Sequence, residues 1–143
     1  MKKAATTKSD IATAILLEAM VRDAYRSKVS ADVHPLQWSV LRYLGTHPQS
    51  QCTMSLMRKS LRKTHAPVVR AIQTLVKRDL VRQIANPEDA RSRFLLLTPS
   101  GAKTLSRDPI LGIVRRFEIL PPSQLRVFKN AVHAMASLQD PGI

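Results

Sequence analysis

Residues 53–98 read TMSLMRKSLRKTHAPVVRAIQTLVKRDLVRQIANPEDARSRFLLLT, and this stretch decides the fold. Its first half predicts two helices joined by a tight turn. Thr53 is placed to cap a short helix to about Leu61, and Thr64 to cap another to about Asp79. Val68, Ile72, Leu75 and Val76 recur at i, i+4, i+7 and i+8, an apolar stripe at helical period. Pro67 falls in the first turn, where a missing N–H costs little. After Leu80 the period becomes strand-like. Val81–Ile84 and Ser92–Leu97 flank the turn residues Asn86-Pro87-Glu88-Asp89, which predicts a hairpin.

Working outward, Pro35 opens an earlier helix that runs to about Thr46 and ends at Gly45-Thr46-His47-Pro48. Leu36, Val40, Leu41, Tyr43 and Leu44 give it a core face. Trp38 and Tyr43 are read as core residues in preference to effector-pocket lining. Residues 1–9 form a loose basic arm, and Asp10 caps a helix from there to about Arg26. Apolar side chains cover most of that helix's circumference, so it needs burial on more than one side and belongs in a subunit interface. Downstream, Thr98-Pro99 starts a helix, Asp108-Pro109 kinks or restarts it, and Pro121-Pro122-Ser123 breaks it again. The last helix carries a seam of Leu125, Phe128, Val132 and Met135 suited to helix–helix packing. The expected fold is mainly α with a small β-hairpin wing. It is one domain over 1–143, with a winged helix-turn-helix DNA-binding lobe at 33–98. Helices from both termini, 10–30 and 99–138, supply a dimerisation layer.

Charge narrows the function. The chain of 143 residues carries a formal net charge of +13, and residues 54–82, with eight basic and one acidic side chain, supply +7 of it. Such a cluster focuses anions and points to nucleic acid. In a helix-turn-helix the N-terminal end of the second helix enters the major groove. Here that end holds Thr64, His65, Ala66, Val69, Arg70 and Gln73. Arg70 and Gln73 can hydrogen-bond to base edges or phosphate, and Ala66 or Val69 can meet a thymine methyl. Arg58, Lys59, Arg62 and Lys63 are placed to flank phosphates. Arg91 sits at the wing tip, while strand alternation leaves Arg93 facing either way.

In this order and spacing, Leu36-Gln37-Trp38-Ser39-Val40-Leu41, Val68-x-Arg70-x-Ile72-x-x-Leu75-Val76-Lys77-Arg78-x-Leu80-Val81, Asn86-Pro87-Glu88-Asp89-Ala90-Arg91 and Leu97-Thr98-Pro99-x-Gly101 resemble the MarR family of bacterial winged-helix regulators. The resemblance spans roughly residues 10–138. It implies a homodimer, a pseudo-palindromic double-stranded DNA operator, and a small aromatic or acidic effector acting between dimer layer and DNA-binding lobe. It also implies that Asp89 stabilises the wing while Arg91 reaches the minor groove. The chain departs from the family pattern at Met57-Arg58 and Arg62-Lys63, which make the turn more basic, and at Pro67, where threonine or serine is usual.

Other classes are disfavoured. Neither a phosphate-binding G-x-x-x-x-G-K-[ST] nor a G-x-G-x-x-G string is present, and no catalytic residue or cofactor is expected. His34, His47, His65 and His133 never fall three or four apart, and one cysteine makes no zinc set, so no metal is expected. Cys52 is read as an inert thiol, with a redox sensor as the alternative. The apolar run Ile11–Leu17 lies between Asp10 and Glu18 and is too short for a signal or membrane segment. These features predict a cytoplasmic, nucleoid-associated repressor. The alternative is a non-specific architectural DNA-binding protein. Tyr25, Trp38 and Phe128 fall on apolar faces, which argues against a stacking platform for single strands.

Overall fold

The computed structural model describes residues 4–26 and 32–138. Residues 27–30, expected to belong to the dimerisation helices, lie outside the described residues. The rest form two compact units, one of residues 4–24 with 109–138 and one of 25–26 with 32–108.

The larger unit grows from three helices whose apolar stripes meet. Pro35 opens α2 (Pro35–Thr46), and Gln37 Oε1 accepts the His34 N–H at 3.2 Å. A single 3₁₀ turn, Gln49–Gln51, leads to α3 (Met54–Leu61), capped as expected by Thr53 Oγ1, which accepts the Leu56 N–H at 3.3 Å. Helix α4 (His65–Lys77) follows. Trp38, Leu41, Met57, Val68, Ile72 and Leu75 interlock with almost no exposure. Each such burial contributes about 1.5–3 kcal/mol. Val76 is not part of the stripe: it is 37% exposed, and Ala71 is buried instead. At roughly 100° per residue, Ala71 and Val76 lie almost equally far, about 70°, on opposite sides of the centre of Val68, Ile72 and Leu75, so the packing of neighbouring elements and not the helical period decides which is covered. The Trp38 Nε1–H is buried without an acceptor among the described residues. That costs about 1–3 kcal/mol against the ring's large burial.

Strands β1 (Val81–Ala85) and β2 (Arg93–Leu97) pair antiparallel, Val81 opposite Leu97 and Ala85 opposite Arg93. Leu95 N–H donates to Cys52 O at 2.8 Å, tying the hairpin to the turn before α3. Thr98 caps α5 (Pro99–Leu105), its Oγ1 accepting the Gly101 N–H at 3.0 Å and donating to Asp79 O. A Cβ at Gly101 would lie 2.0 Å from the Leu80 carbonyl oxygen, so only glycine allows this approach.

Arg42 binds Asp108 through two parallel hydrogen bonds of 2.6 Å, from Nε to Oδ2 and from Nη2 to Oδ1, and Nη2 also donates to Tyr25 Oη at 2.8 Å. The Asp108 side chain is 5% exposed. Burial works against the Arg42 charge, but the bonds to Asp108 and Tyr25 outweigh it and raise its pKa.

The smaller unit contains α1 (Lys8–Ala24), α6 (Ile110–Phe117) and α7 (Pro122–Ser137). The breaks at Asp108-Pro109 and Pro121-Pro122 are where the prolines predict them. The start of α1 differs. Helix begins at Lys8, not after an arm of nine residues, and its cap is Thr7. Asp10 N–H donates to Thr7 Oγ1 at 3.1 Å and Thr7 N–H donates to Asp10 Oδ2 at 2.7 Å, a reciprocal capping box. These bonds to Thr7 hold the Asp10 carboxyl below its ordinary pKa. Helices α1 and α6 pack together, and Phe117 meets Phe128 of α7 edge-on at 5.6 Å. Yet no residue of the three helices is buried. Leu16, Val127 and Ile119 are 65%, 68% and 80% exposed. In the α7 seam Leu125 and Phe128 are half-buried, while Val132 and Met135 are exposed. No helix among the described residues is long and apolar enough to cross a membrane.

Removing one partner of the buried pair strands the other charge. Asp108→Ala is therefore expected to cost about 3–5 kcal/mol in urea unfolding, with most of the loss recovered in the Arg42→Met/Asp108→Leu double variant. A loss under about 1 kcal/mol would show a solvent-screened pair.

Candidate nucleic-acid interface

Two basic surfaces are built around α4. The first is its outer face. Val68, Ala71, Ile72 and Leu75 turn inward, so Ala66, Arg70, Gln73 and Lys77 stand exposed on the other side. Val69 is half-buried at the edge. Thr64 and His65 are exposed at the start of the helix, and Thr64 makes no side-chain capping bond. The α4 first turn therefore keeps N–H groups for another acceptor, at the positive end of the helix dipole.

The turn before α4 is a left-handed helix end. Arg62 has φ 52°, its N–H donates to Lys59 O, and the Lys63 N–H donates to Arg58 O, both at 3.2 Å. An arginine stands here in a conformation that favours glycine. Lys59, Arg62 and Lys63 are exposed as a result, while Met57 anchors α3 in the core.

The second surface is a crease between α3, the start of α4 and the wing, with a volume of about 490 Å³. Register explains it. The hairpin face that carries Val81, Leu95 and Leu97 toward the core also carries Gln83 and Arg93. Beyond the core those two side chains overhang α3. Arg58, half-buried on α3, and His65 on α4 line the crease from one side, and Arg91 and Arg93 from the other. Asp89 also lines it, and its Oδ1 accepts the Arg91 N–H at 2.9 Å, shaping the wing turn. Asn86 Oδ1 accepts the Glu88 N–H at 3.0 Å earlier in that turn. Among the described residues none of the guanidiniums of Arg58, Arg91 and Arg93 has an ion-pair partner.

The crease thus gathers Arg58, His65, Asp89, Arg91 and Arg93, whereas Lys59, Arg62, Lys63, Ala66, Val69, Arg70 and Gln73 lie outside it. Sequence reasoning missed Ser55, Gln83 and Ser92 in its lining. For Gln83 the signal available was the strand register, which needs the partner strand to be known; Ser55 on α3 and Ser92 before β2 are not marked by it.

Cys52 lies in neither surface. It is 2% exposed, its Sγ approaches Pro48 O at 3.4 Å, and burial pushes the thiol pKa up. Tyr43 is buried, its Oη donates to Gln51 O at 2.8 Å, and its ring stacks on His47. Among the described residues no three of His, Cys, Asp and Glu gather closely enough to hold a metal ion.

Residues 31–92 match the model of the MarR family. No curated protein matches the chain at a significant level. Among solved structures, the S. aureus MepR–DNA complex superposes with a TM-score of 0.73 at 21% identity, covering 92% of this chain and 98% of that one. Sco3205, a MarR family transcriptional regulator from Streptomyces coelicolor in complex with DNA, gives 0.70 at 23% identity, covering 95% and 87%. The PcaV transcriptional regulator of the same organism, in complex with its natural ligand, gives 0.69 at 17%, covering 98% and 99%. The chain therefore has the winged-helix fold of these regulators.

Two outcomes follow from this geometry. Arg62→Gly is expected to stabilise the protein by about 1 kcal/mol in urea unfolding, because glycine adopts the left-handed conformation without strain. A loss of stability would mean the arginine side chain makes a contact worth more than the strain. Cys52 is expected to react with a thiol reagent at pH 8 at least about tenfold slower in the native protein than in urea. Equal rates would restore the sensor reading.

Proposed function

We propose that this winged-helix chain, MarR-like over residues 31–92, is a sequence-specific double-stranded DNA-binding transcriptional regulator, not an enzyme. The observation that carries the reading is the exposed face of α4, where Arg70 and Gln73 stand directly opposite the buried stripe. In the major groove, that face reads base edges. Lys59, Arg62 and Lys63 neutralise flanking phosphates, and Arg91 at the wing enters a minor groove, where a narrow A/T-rich tract attracts arginine.

The protein acts as a homodimer on a pseudo-palindromic operator. The support is that α1, α6 and α7 leave large apolar side chains exposed, among them Ile15 at 58%, Leu16 at 65%, Val127 at 68% and Met135 at 57%, as a face awaiting a partner would. Repression follows from occupying a promoter. A small aromatic or acidic effector relieves it by binding the released form better than the DNA-bound form. This places the protein in the cytoplasm, with the nucleoid.

Selection from a random duplex pool, then titration of the winner against scrambled DNA at about 150 mM salt, tests the reading. Specific regulators prefer their site by about 10³–10⁷. An inverted repeat with half-sites about ten base pairs apart is expected. Tight but salt-sensitive binding without any enriched sequence would hand the function to a non-specific architectural role. On the selected operator, Arg91→Ala is expected to cost about 1–3 kcal/mol. Arg70→Ala is expected to cost more on the operator than on random duplex, and an equal loss on both would demote Arg70 to a phosphate contact.

A further inference from the structure

We infer that the crease between α3, the start of α4 and the wing is a binding site for a small free phosphate monoester, which occupies it in competition with DNA. The competition rests on the DNA-binding reading above; the site itself does not.

Three observations carry it. The first is charge. Arg58, Arg91 and Arg93 line one concavity without ion-pair partners among the described residues. The one carboxylate in the lining, Asp89, already has Oδ1 accepting the Arg91 N–H. Three guanidiniums against one carboxylate leave a formal charge of +2. A phosphate monoester, at about −1.5 to −2 near neutral pH, complements that better than a carboxylate or a singly charged backbone diester. Guanidinium forks also match phosphate oxygens geometrically.

The second is size. The crease holds about 490 Å³, inside the range of about 300–1,000 Å³ usual for small-molecule sites. That exceeds the needs of a bare phosphate and leaves room for an organic group. The third is the chemistry of the remaining wall. Leu95 is buried beneath it and Met54 half-buried beside it, an apolar floor, while Ser55 and Gln83 offer polar groups above. An ester's organic part rests on the floor while its phosphate meets the arginines. A ligand held there occupies the angle between α4 and the wing and neutralises Arg58, Arg91 and Arg93, of which Arg91 is the wing contact to DNA in the reading above.

The test uses the whole protein and phenyl phosphate as probe, with benzoate and chloride at equal ionic strength as controls. Calorimetric titration of DNA-free protein is expected to show one saturable site per chain for phenyl phosphate. Gln83→Glu places a new carboxylate in the crease, and Arg93→Gln removes a guanidinium. Both lie on the exposed wing, and each is expected to weaken the site at least tenfold with an unchanged circular dichroism spectrum. No saturable binding, or binding that survives both substitutions, overturns the site. Phenyl phosphate is further expected to displace a labelled duplex at concentrations where the chloride control does not, and binding without displacement overturns the competition. A protein that binds no duplex at low salt refutes the regulator reading instead, and the calorimetric arm still decides the crease.

Discussion

The Thr98 hydroxyl is the joint on which the larger unit depends. It donates to Asp79 O, just past the end of α4, and accepts the Gly101 N–H in the first turn of α5. The Thr98 N–H meanwhile donates to Leu80 O at 3.1 Å. One residue therefore holds the end of α4, the base of the hairpin and the start of the next helix. Asp79 takes a left-handed conformation, φ 58°, so that the chain can leave α4 and enter β1 at once. Gly101 lets α5 settle against the Leu80 backbone where no side chain fits. The angle between α4 and the hairpin is set here, and that angle creates the crease.

From this joint the two basic surfaces follow with little freedom. The buried stripe of α4 fixes which residues face outward, and Arg70 and Gln73 are among them. The β1–β2 register fixes which wing residues overhang α3, and Gln83 and Arg93 are among those. Arg58 is drawn toward the crease because Met57, its neighbour, is locked in the core. Positive charge is thus arranged by the packing of apolar residues beneath it, and no described ion pair dissipates it. The smaller unit is governed differently. Its helices carry their apolar residues outward, so its own contacts leave the surface for which those residues were expected largely uncovered.

Much of this was legible beforehand because the signals are local. Pro35, Thr53, Thr98, the Asp108-Pro109 pair and the Pro121-Pro122 pair mark helix ends through backbone geometry that a residue carries with it. The stripe of Val68, Ile72 and Leu75 announces helix and facing direction together. Misreadings arose where two local rules competed. Asp10 and Thr7 both suit a cap, and the two share one capping box, which a single-residue rule cannot foresee. Val76 continues the apolar count, but it and the smaller Ala71 flank the stripe about equally, and only the packing of neighbouring elements selects Ala71's side for burial.

By itself the sequence determined the order of elements, the hairpin after the second helix of the pair, the direction of the α4 basic face and the concentration of charge in residues 54–82. All of these depend on period, capping and composition, which act over a few residues. Only the tertiary structure decided that Arg93 faces α3, that Ser55, Gln83 and Ser92 join Arg58 in one concavity, that Arg42 and Asp108 form a buried pair 66 positions apart, and that Cys52 is sealed from solvent. Each of these is a meeting of residues from different elements. Such meetings are set by strand register and core packing, and neither is contained in any local stretch of chain.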